Sequence, residues 1–274
     1  MQNNLNISNY VNLPLNFISI PANMIESNTI KYVKSLHQKK NRLAHGEFIV
    51  EGVKMVQELL QSDFHIKELF ATDESVIEGA TVGLTKVSEK ELGRMSAMKN
   101  PNKILAVVKT PSRELVPSGL QQKLSLVLEN IQDPGNMGTI IRLANWYGIE
   151  HIICSSDTVE CYNPKVVQAT MGALFRVNIH YTDIYKLLDT AHTWPDFGVY
   201  ATHLEGENIY DVRLNTNGFI LMGNESNGLS DKLDDSAIQK ILIPAFPFGS
   251  QKMESLNVAV AAALTVAEFR RRQL

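Results

Sequence analysis

From Leu124 onward, short and nearly continuous apolar runs recur at a steady spacing: "LSLVLENI", "HIICSS", "RVNIHYT", "GVYATHL", "GFILMGNE" and "ILIPAF". Between most of them stands a single helical pattern, "GTIIRLANWYG", "PKVVQATMGALF" or "DIYKLLDTAH", and a last helix closes the chain. A strand that is apolar at successive positions cannot leave one face in water. Strands of this kind, separated by single helices, predict a parallel sheet covered on both faces, the doubly wound α/β class. In such sheets ligands bind beyond the carboxyl ends of the strands, so the strand ends are where chemistry is expected.

Upstream, residues 27 to about 110 form a second and smaller α/β unit. "SNTIKYVKSLHQKK" and "VKMVQELLQS" read as helices, and "EFIVEG", "IKELFAT" and "ILAVVKT" as strands. The segment 111–123, "PSRELVPSGLQQK", lacks hydrophobic periodicity and reads as a linker, with the boundary near residue 115 and the second domain spanning 124–274. Two domains suit a chain of 274 residues. Residues 1–26 contain no Lys or Arg, which excludes the usual signal and transit peptides; they read as a disordered lead, with Met24 as the natural start.

The formal net charge of −3 means that binding to a polyanion must rest on a local patch. One stands at "KYVKSLHQKKNR", where Lys31, Lys34, Lys39, Lys40 and Arg42 alternate with Tyr32 and His37. It is either a solvated helix face or a polyanion contact. The two cysteines, Cys154 and Cys161, have no metal-ligand spacing and cannot build a disulfide framework, which suits a reducing cytoplasm and gives no reason to expect a metal. No apolar run is long enough to span a membrane.

Three strand ends carry clusters of turn residues. The first, "ENIQDPGNMGTIIRLANWYG", does not make the glycine fingerprint of a dinucleotide site, and no acid follows at the end of the next strand to hold a ribose; a nicotinamide oxidoreductase is therefore excluded. Its plain alternative is a turn in which Asn136 caps a helix. The second, "LMGNESNGLSDKL", places Glu225 between Gly223 and Gly228. In the third, "IPAFPFGSQKMESLNVAVAAALTVAEFRRR", Leu256, Ala259, Val260, Ala263, Leu264 and Ala267 share a helical face, with Ser255 where an N-cap belongs and Asn257 in the first turn.

Together and in this order, the clusters resemble the three motifs of the SpoU, or TrmH, family of RNA ribose 2′-O-methyltransferases, within the SPOUT superfamily. The residues that carry the resemblance are Asn130, Asp133, Pro134, Asn136, Gly138 and Arg142; then Gly223, Glu225, Gly228 and Leu229; then Ile243, Pro244, Ser255, Leu256, Asn257 and Val258. The helix that leads to Gly172 and Ala173 is similar as well. The likeness spans residues 124 to 272.

The resemblance implies a trefoil-knotted SPOUT methyltransferase domain preceded by a small α/β (L30e-like) substrate-binding domain, with S-adenosylmethionine as cofactor, no metal, and RNA as substrate. It implies cofactor contacts at Thr202, Met222, Gly223, Ile243 and Leu256. It also implies a catalytic group of Arg142, Asn130, Glu225, Ser255 and Asn257, and gives credibility to Lys31, Lys34, Lys39, Lys40 and Arg42 as RNA contacts. Ribosomal RNA is favoured over transfer RNA because of the extra domain, and a homodimer through the second domain is expected. A catalytically silent RNA-binding assembly factor is the alternative from another class. Two departures from the family pattern stand out: the connection between Pro244 and Ser255 is longer, and Ala259 stands where serine is common.

Overall fold

The computed structural model describes residues 25–73, 83–233, 237–247 and 255–274; apart from Ile25 and Glu26, the expected lead and Met24 lie outside the described residues. The first unit holds helices α1 (Ser27–Ser35), α2 (Lys39–His45), α3 (Val53–Leu60) and α4 (Glu89–Met95). Its strands β1 (Glu47–Glu51), β2 (Ile66–Ala71), β3 (Leu84–Lys86) and β4 (Ile104–Lys109) form a sheet of order β1-β4-β2-β3.

The single helix expected over 27–40 is two, because the chain turns at His37 and Gln38. Two side chains from α2 take up the carbonyls left at the end of α1: Asn41 Nδ2 donates to Ser35 O at 2.9 Å, and Arg42 Nη1 donates to Leu36 O at 2.9 Å and His37 O at 2.8 Å. Period-2 alternation then divides the sheet. Ile49, Phe70, Leu105 and Val107 pack on α1 and α4, whereas Phe48, Val50, Leu69 and Ala106 face the other way, with α3.

The second unit is a six-stranded, all-parallel sheet of order β10-β8-β9-β5-β6-β7, as the apolar runs require. Its strands are β5 (Leu124–Leu128), β6 (His151–Cys154), β7 (Asn178–Tyr181), β8 (Gly198–Asn208), β9 (Gly218–Met222) and β10 (Gln239–Leu242). Helices α5 (Pro134–Trp146), α6 (Pro164–Ala169) and α8 (Val258–Arg271) share one core with Leu126, Leu128, Ile220 and Met222. Helix α7 (Ile184–Ala191) covers Val127, Ile153, Phe219 and Leu221 on the opposite face. Both faces are covered, which is why β5 and β9 are buried at every position.

One apolar core runs through both units. The face of the first sheet that carries Phe48 continues into the second unit, where Phe48 lies 4.5 Å from the Tyr162 ring and Phe64 5.3 Å from Phe175. Arg42 pairs with Glu160 at 2.6 Å, and Arg176 with Glu58. Segment 111–123 is docked rather than free: Arg113 donates to Asn178 Oδ1 at 2.5 Å and pairs with Asp63 at 3.1 Å, while Leu120 is buried beneath the α7 side of the sheet. Most of its other residues remain exposed or half-buried, which is why it lacks hydrophobic periodicity.

Both cysteines are buried, and burial raises the Cys154 thiol and pushes Cys161 up to about 12, so neither is a nucleophile at neutral pH. Among the described residues no helix is long and apolar enough to cross a membrane, and no group of three or more His, Cys, Asp or Glu side chains stands together to hold a metal ion.

Candidate functional site

The three motif segments meet at the carboxyl ends of β5, β9 and β10. The first is not an open turn. Asp133 caps α5, its Oδ1 accepting from Asn136 N at 2.8 Å, and Pro134 occupies the first helical position, so the Asp-Pro-Gly-Asn cluster is the helix's own first turn. The capping residue is thus Asp133 and not Asn136. Gly138 serves packing: a Cβ there would overlap Ala169 and sit 3.1 Å from Val166 O, so glycine lets α5 lie directly on α6.

Freed from capping, the Asn136 side chain joins the three motifs. Its Nδ2 donates to Glu225 Oε1 at 3.0 Å, and its Oδ1 accepts from Asn257 Nδ2 at 2.9 Å. Glu225 also accepts the backbone N–H groups of Gln132 at 3.5 Å and Asp133 at 3.4 Å, a favourable place for a carboxylate at the start of a helix. Asn130, at the tip of β5, is held in the left-handed region at φ 54°. Its N–H donates to Ser155 Oγ at 2.9 Å, its carbonyl accepts Asn224 Nδ2 at 2.8 Å, and its Oδ1 accepts from Gln132 Nε2.

The second motif is a two-sided turn in which Asn224 and Gly228 exchange backbone hydrogen bonds at 2.9 Å each. Gly228 takes φ +70°, and a Cβ on Gly223 would overlap the backbone of Gly228 and Leu229. The loop is anchored from below by Glu129, a buried carboxylate that accepts Ser230 N at 2.8 Å, Ser230 Oγ at 2.6 Å and the Tyr185 hydroxyl at 2.5 Å. Partial burial, followed by this bond to Glu129, raises the Tyr185 phenol and keeps it a donor.

A cavity of about 520 Å³ opens beside these turns. All five residues expected to touch a cofactor line it: Thr202, Met222, Gly223, Ile243 and Leu256. Glu225 and Ser255 reach it too, whereas Asn130, Asn257 and Arg142 do not line it. The N-cap of α8 is Asn257, whose Oδ1 accepts Ala259 N at 3.0 Å and Val260 N at 3.3 Å; Ser255, expected there, is exposed two residues earlier. The helix starts later than the pattern suggested because asparagine, with its short acceptor, stops it first.

The face expected on α8 is also divided. Val258, Ala259, Ala262, Val266 and Phe269 are buried, while Val260 and Leu264 remain 47% and 44% exposed. Arg142 lies in the third turn of α5, which begins at Pro134. It is exposed, like Trp146 one turn on, which is 83% exposed.

Of the basic segment, Lys31, Lys34, Lys39 and Lys40 are exposed. Arg42 is not: at 3% exposure its guanidinium holds Glu160 and two carbonyls, which withdraws it from any RNA surface. A planar fork satisfied on every edge suits a buried pair, and a lysine could not replace it. Asn136, Asn224 and Glu129 were not among the expected site residues. An acid ending the apolar run of β5 was the available signal for Glu129, since a carboxylate there must be buried and therefore hydrogen-bonded.

Comparison with known proteins agrees with this geometry. Residues 123–267 match the model of the SpoU rRNA Methylase family, and residues 27–106 that of the MRM3-like substrate binding domain. The chain is 28% identical over 245 residues to the 23S rRNA (guanosine(2553)-2′-O)-methyltransferase RlmP of Bacillus subtilis, covering 88% of this chain and 95% of the relative. Among solved structures, a TrmH-family protein of Porphyromonas gingivalis superposes with a TM-score of 0.79 at 31% identity, covering 91% of this chain and 100% of the other. The AdoMet-bound rRNA methyltransferase of Sinorhizobium meliloti gives a TM-score of 0.79 at 28% identity, with 90% and 96% covered. With the motif residues joined at one set of strand ends and the family model matched over more than half its length, the chain belongs to the SpoU rRNA methylase family.

Proposed function

We propose that the protein methylates a ribose 2′-hydroxyl in 23S rRNA, with S-adenosylmethionine as methyl donor. The observation that carries this reading is the junction of Glu225, Asn136 and Asn257, which fixes the RNA-side turn of motif one against the wall of the cavity. The cavity suits that cofactor. Its volume falls in the usual range for small-molecule sites, roughly 300–1,000 Å³. Met222, Ile241, Leu256, Val258 and Ala261 give it apolar walls, and the strand ends at Gly223 and Ile243 supply backbone polar groups for a base and ribose.

Thr202, Met222, Gly223, Ile243 and Leu256 would hold S-adenosylmethionine, which would supply an electrophilic methyl group. The protein's share is to orient the alcohol and stabilise the charge that develops on its oxygen. Arg142 is the residue assigned to the RNA; a guanidinium has donors and no acceptor, so it acts as a donor rather than as a base. Asn130, Glu225 and Asn257 hold the turn, and Ser255 stands at the cavity mouth.

The test is incubation of unmodified 23S rRNA transcript and, in a parallel reaction, of unmodified transfer RNA with methyl-labelled S-adenosylmethionine, followed by alkaline hydrolysis. A 2′-O-methyl group removes the internal nucleophile, so the linkage after the modified residue resists base. One resistant site in 23S rRNA is expected; label found in transfer RNA alone would refute the assignment.

The exposed lysines supply the second contact with RNA. Changing Lys31, Lys34, Lys39 and Lys40 to glutamine is expected to lower the log–log salt slope of RNA binding by up to roughly 3, with affinity for S-adenosylhomocysteine unchanged. An unaltered slope would reduce these lysines to a solvated helix face.

We also propose that two copies pair through α8. Val260 and Leu264 form an apolar strip flanked by Ala263 and Ala267, small enough for close helix approach, and Trp146 stands exposed on the neighbouring α5. Pairing here would set Arg142, which does not line its own cavity, beside a second copy. The full chain is expected to sediment as a dimer and Leu264→Asp as a folded monomer. A wild-type monomer at micromolar concentration would exclude the pairing.

A further inference from the structure

A second cavity, about 560 Å³, lies in the cleft between the two units, away from the cofactor site. We propose that it holds one unpaired RNA nucleotide close in sequence to the methylated one; this rests on the RNA-methylation reading above.

Its position is the first argument. His37 lines it, in the turn between α1 and α2 and so close in the chain to Lys34, Lys39 and Lys40. Pro134 lines it as well, the first residue of α5 and two positions from Asn136. The cleft therefore bridges the lysine surface and the motif-one turn, the two places assigned to RNA on separate grounds.

The lining chemistry is the second. Pro134 and Pro164 come from the second unit and Met98 from the first, so a flat base would be sandwiched by apolar groups from both sides. Two amides border them. Gln168 Nε2 donates to Glu51 O at 3.4 Å and lies 3.6 Å from Met98 Sδ, which leaves its carbonyl oxygen without a protein donor among the described hydrogen bonds. Asn163 Oδ1 accepts Lys165 N at 2.9 Å, leaving its NH₂ group to donate. One acceptor and one donor are what reading a base edge needs.

Charge is the third. Lys99 from the first unit and Lys165 from the second stand exposed in the lining, and neither has an ion-pair partner among the described residues. The acid in the lining, Glu51, is buried, and its carboxylate is occupied by Ala97 N at 2.7 Å and by the Ser96 hydroxyl. It is held by the first unit's own loop, so the cleft meets a phosphate with two free ammonium groups.

Two variants separate charge from space. The double change Lys99→Gln, Lys165→Gln touches only exposed groups, and Ala97→Trp fills the cleft from an exposed position while keeping the backbone N–H that Glu51 uses. With the full chain and the 23S rRNA transcript, the double variant is expected to weaken RNA binding by roughly tenfold and to flatten the salt slope by roughly 1.4–1.8. Ala97→Trp should raise KM for the transcript with its salt slope preserved. S-adenosylhomocysteine should bind both variants like wild type, which reports that the fold is intact. If wild type methylates the transcript and both variants match it in KM and slope, the cleft is outside the RNA path and this inference fails alone. If wild type neither binds nor methylates the transcript, the underlying reading has failed instead.

Discussion

Arg142→Ala is expected to lower kcat for methyl transfer by roughly a hundred- to a thousandfold while leaving the affinity for S-adenosylmethionine unchanged. The two halves of this expectation have different sources. Arg142 does not line the cavity, whose walls come from the ends of β8, β9 and β10 and the start of α8, so removing it leaves the cofactor's contacts in place. It projects from the third turn of α5 into solvent. An exposed guanidinium on the helix that carries motif one is placed to grip a phosphate and to offset the negative charge that grows on the ribose oxygen. Because a guanidinium offers donors and no acceptor, it acts as a donor, and the proton must leave by another route. Arg142→Lys should not restore activity, since an ammonium lacks the planar fork that fixes a phosphate in two contacts. Single-turnover rates at saturating cofactor, with titration of S-adenosylhomocysteine alongside, measure both. A variant within a few-fold of wild type would take Arg142 out of the reaction.

The same exposure explains what was and was not legible in the chain. Apolar runs at successive positions could only be strands covered on both faces, and the parallel sheet follows from that pattern alone. The five residues expected to touch a cofactor line one cavity because a family motif constrains positions in sequence and the sheet brings those positions to one edge. The sequence does not reveal where an apolar face points. Phe48 and Phe64 look the same whether they close the first unit's own core or, as here, pack on Tyr162 and Phe175 of the second. A charge run is equally silent about orientation: Arg42 reads as one more cation after four lysines, yet it turns inward because Glu160, more than a hundred residues away, offers a partner. Asn136 and Asn257 were ambiguous for a related reason. An asparagine beside a helix start can cap it or reach across to another element, and only the fold shows that Asp133 frees the first while the second does both.

The second large effect is expected at Gly223, where alanine should abolish cofactor binding. A Cβ at this position would overlap the carbonyl of Gly228 and the nitrogen of Leu229, both backbone, so no side-chain rotation relieves the clash. The turn would have to open, breaking the paired Asn224–Gly228 hydrogen bonds and moving Glu225 away from Asn136. The cavity wall and the brace between motifs would be lost in one step. Gly228→Ala is the informative contrast. Nothing stands within 4 Å of a Cβ there, so the cost is confined to holding a non-glycine residue at φ +70°, roughly 1–2 kcal/mol, and binding should weaken rather than vanish. Gly119→Ala, in open space and outside the left-handed region, serves as the neutral control. Titration with S-adenosylhomocysteine should rank the affinities Gly119→Ala, then Gly228→Ala, then Gly223→Ala, with thermal unfolding reporting that each variant is folded. A folded Gly223→Ala protein that binds like wild type would show that the motif-two turn has room for a methyl group, and the brace from Glu225 through Asn136 to Asn257 would lose its claim to shape the site.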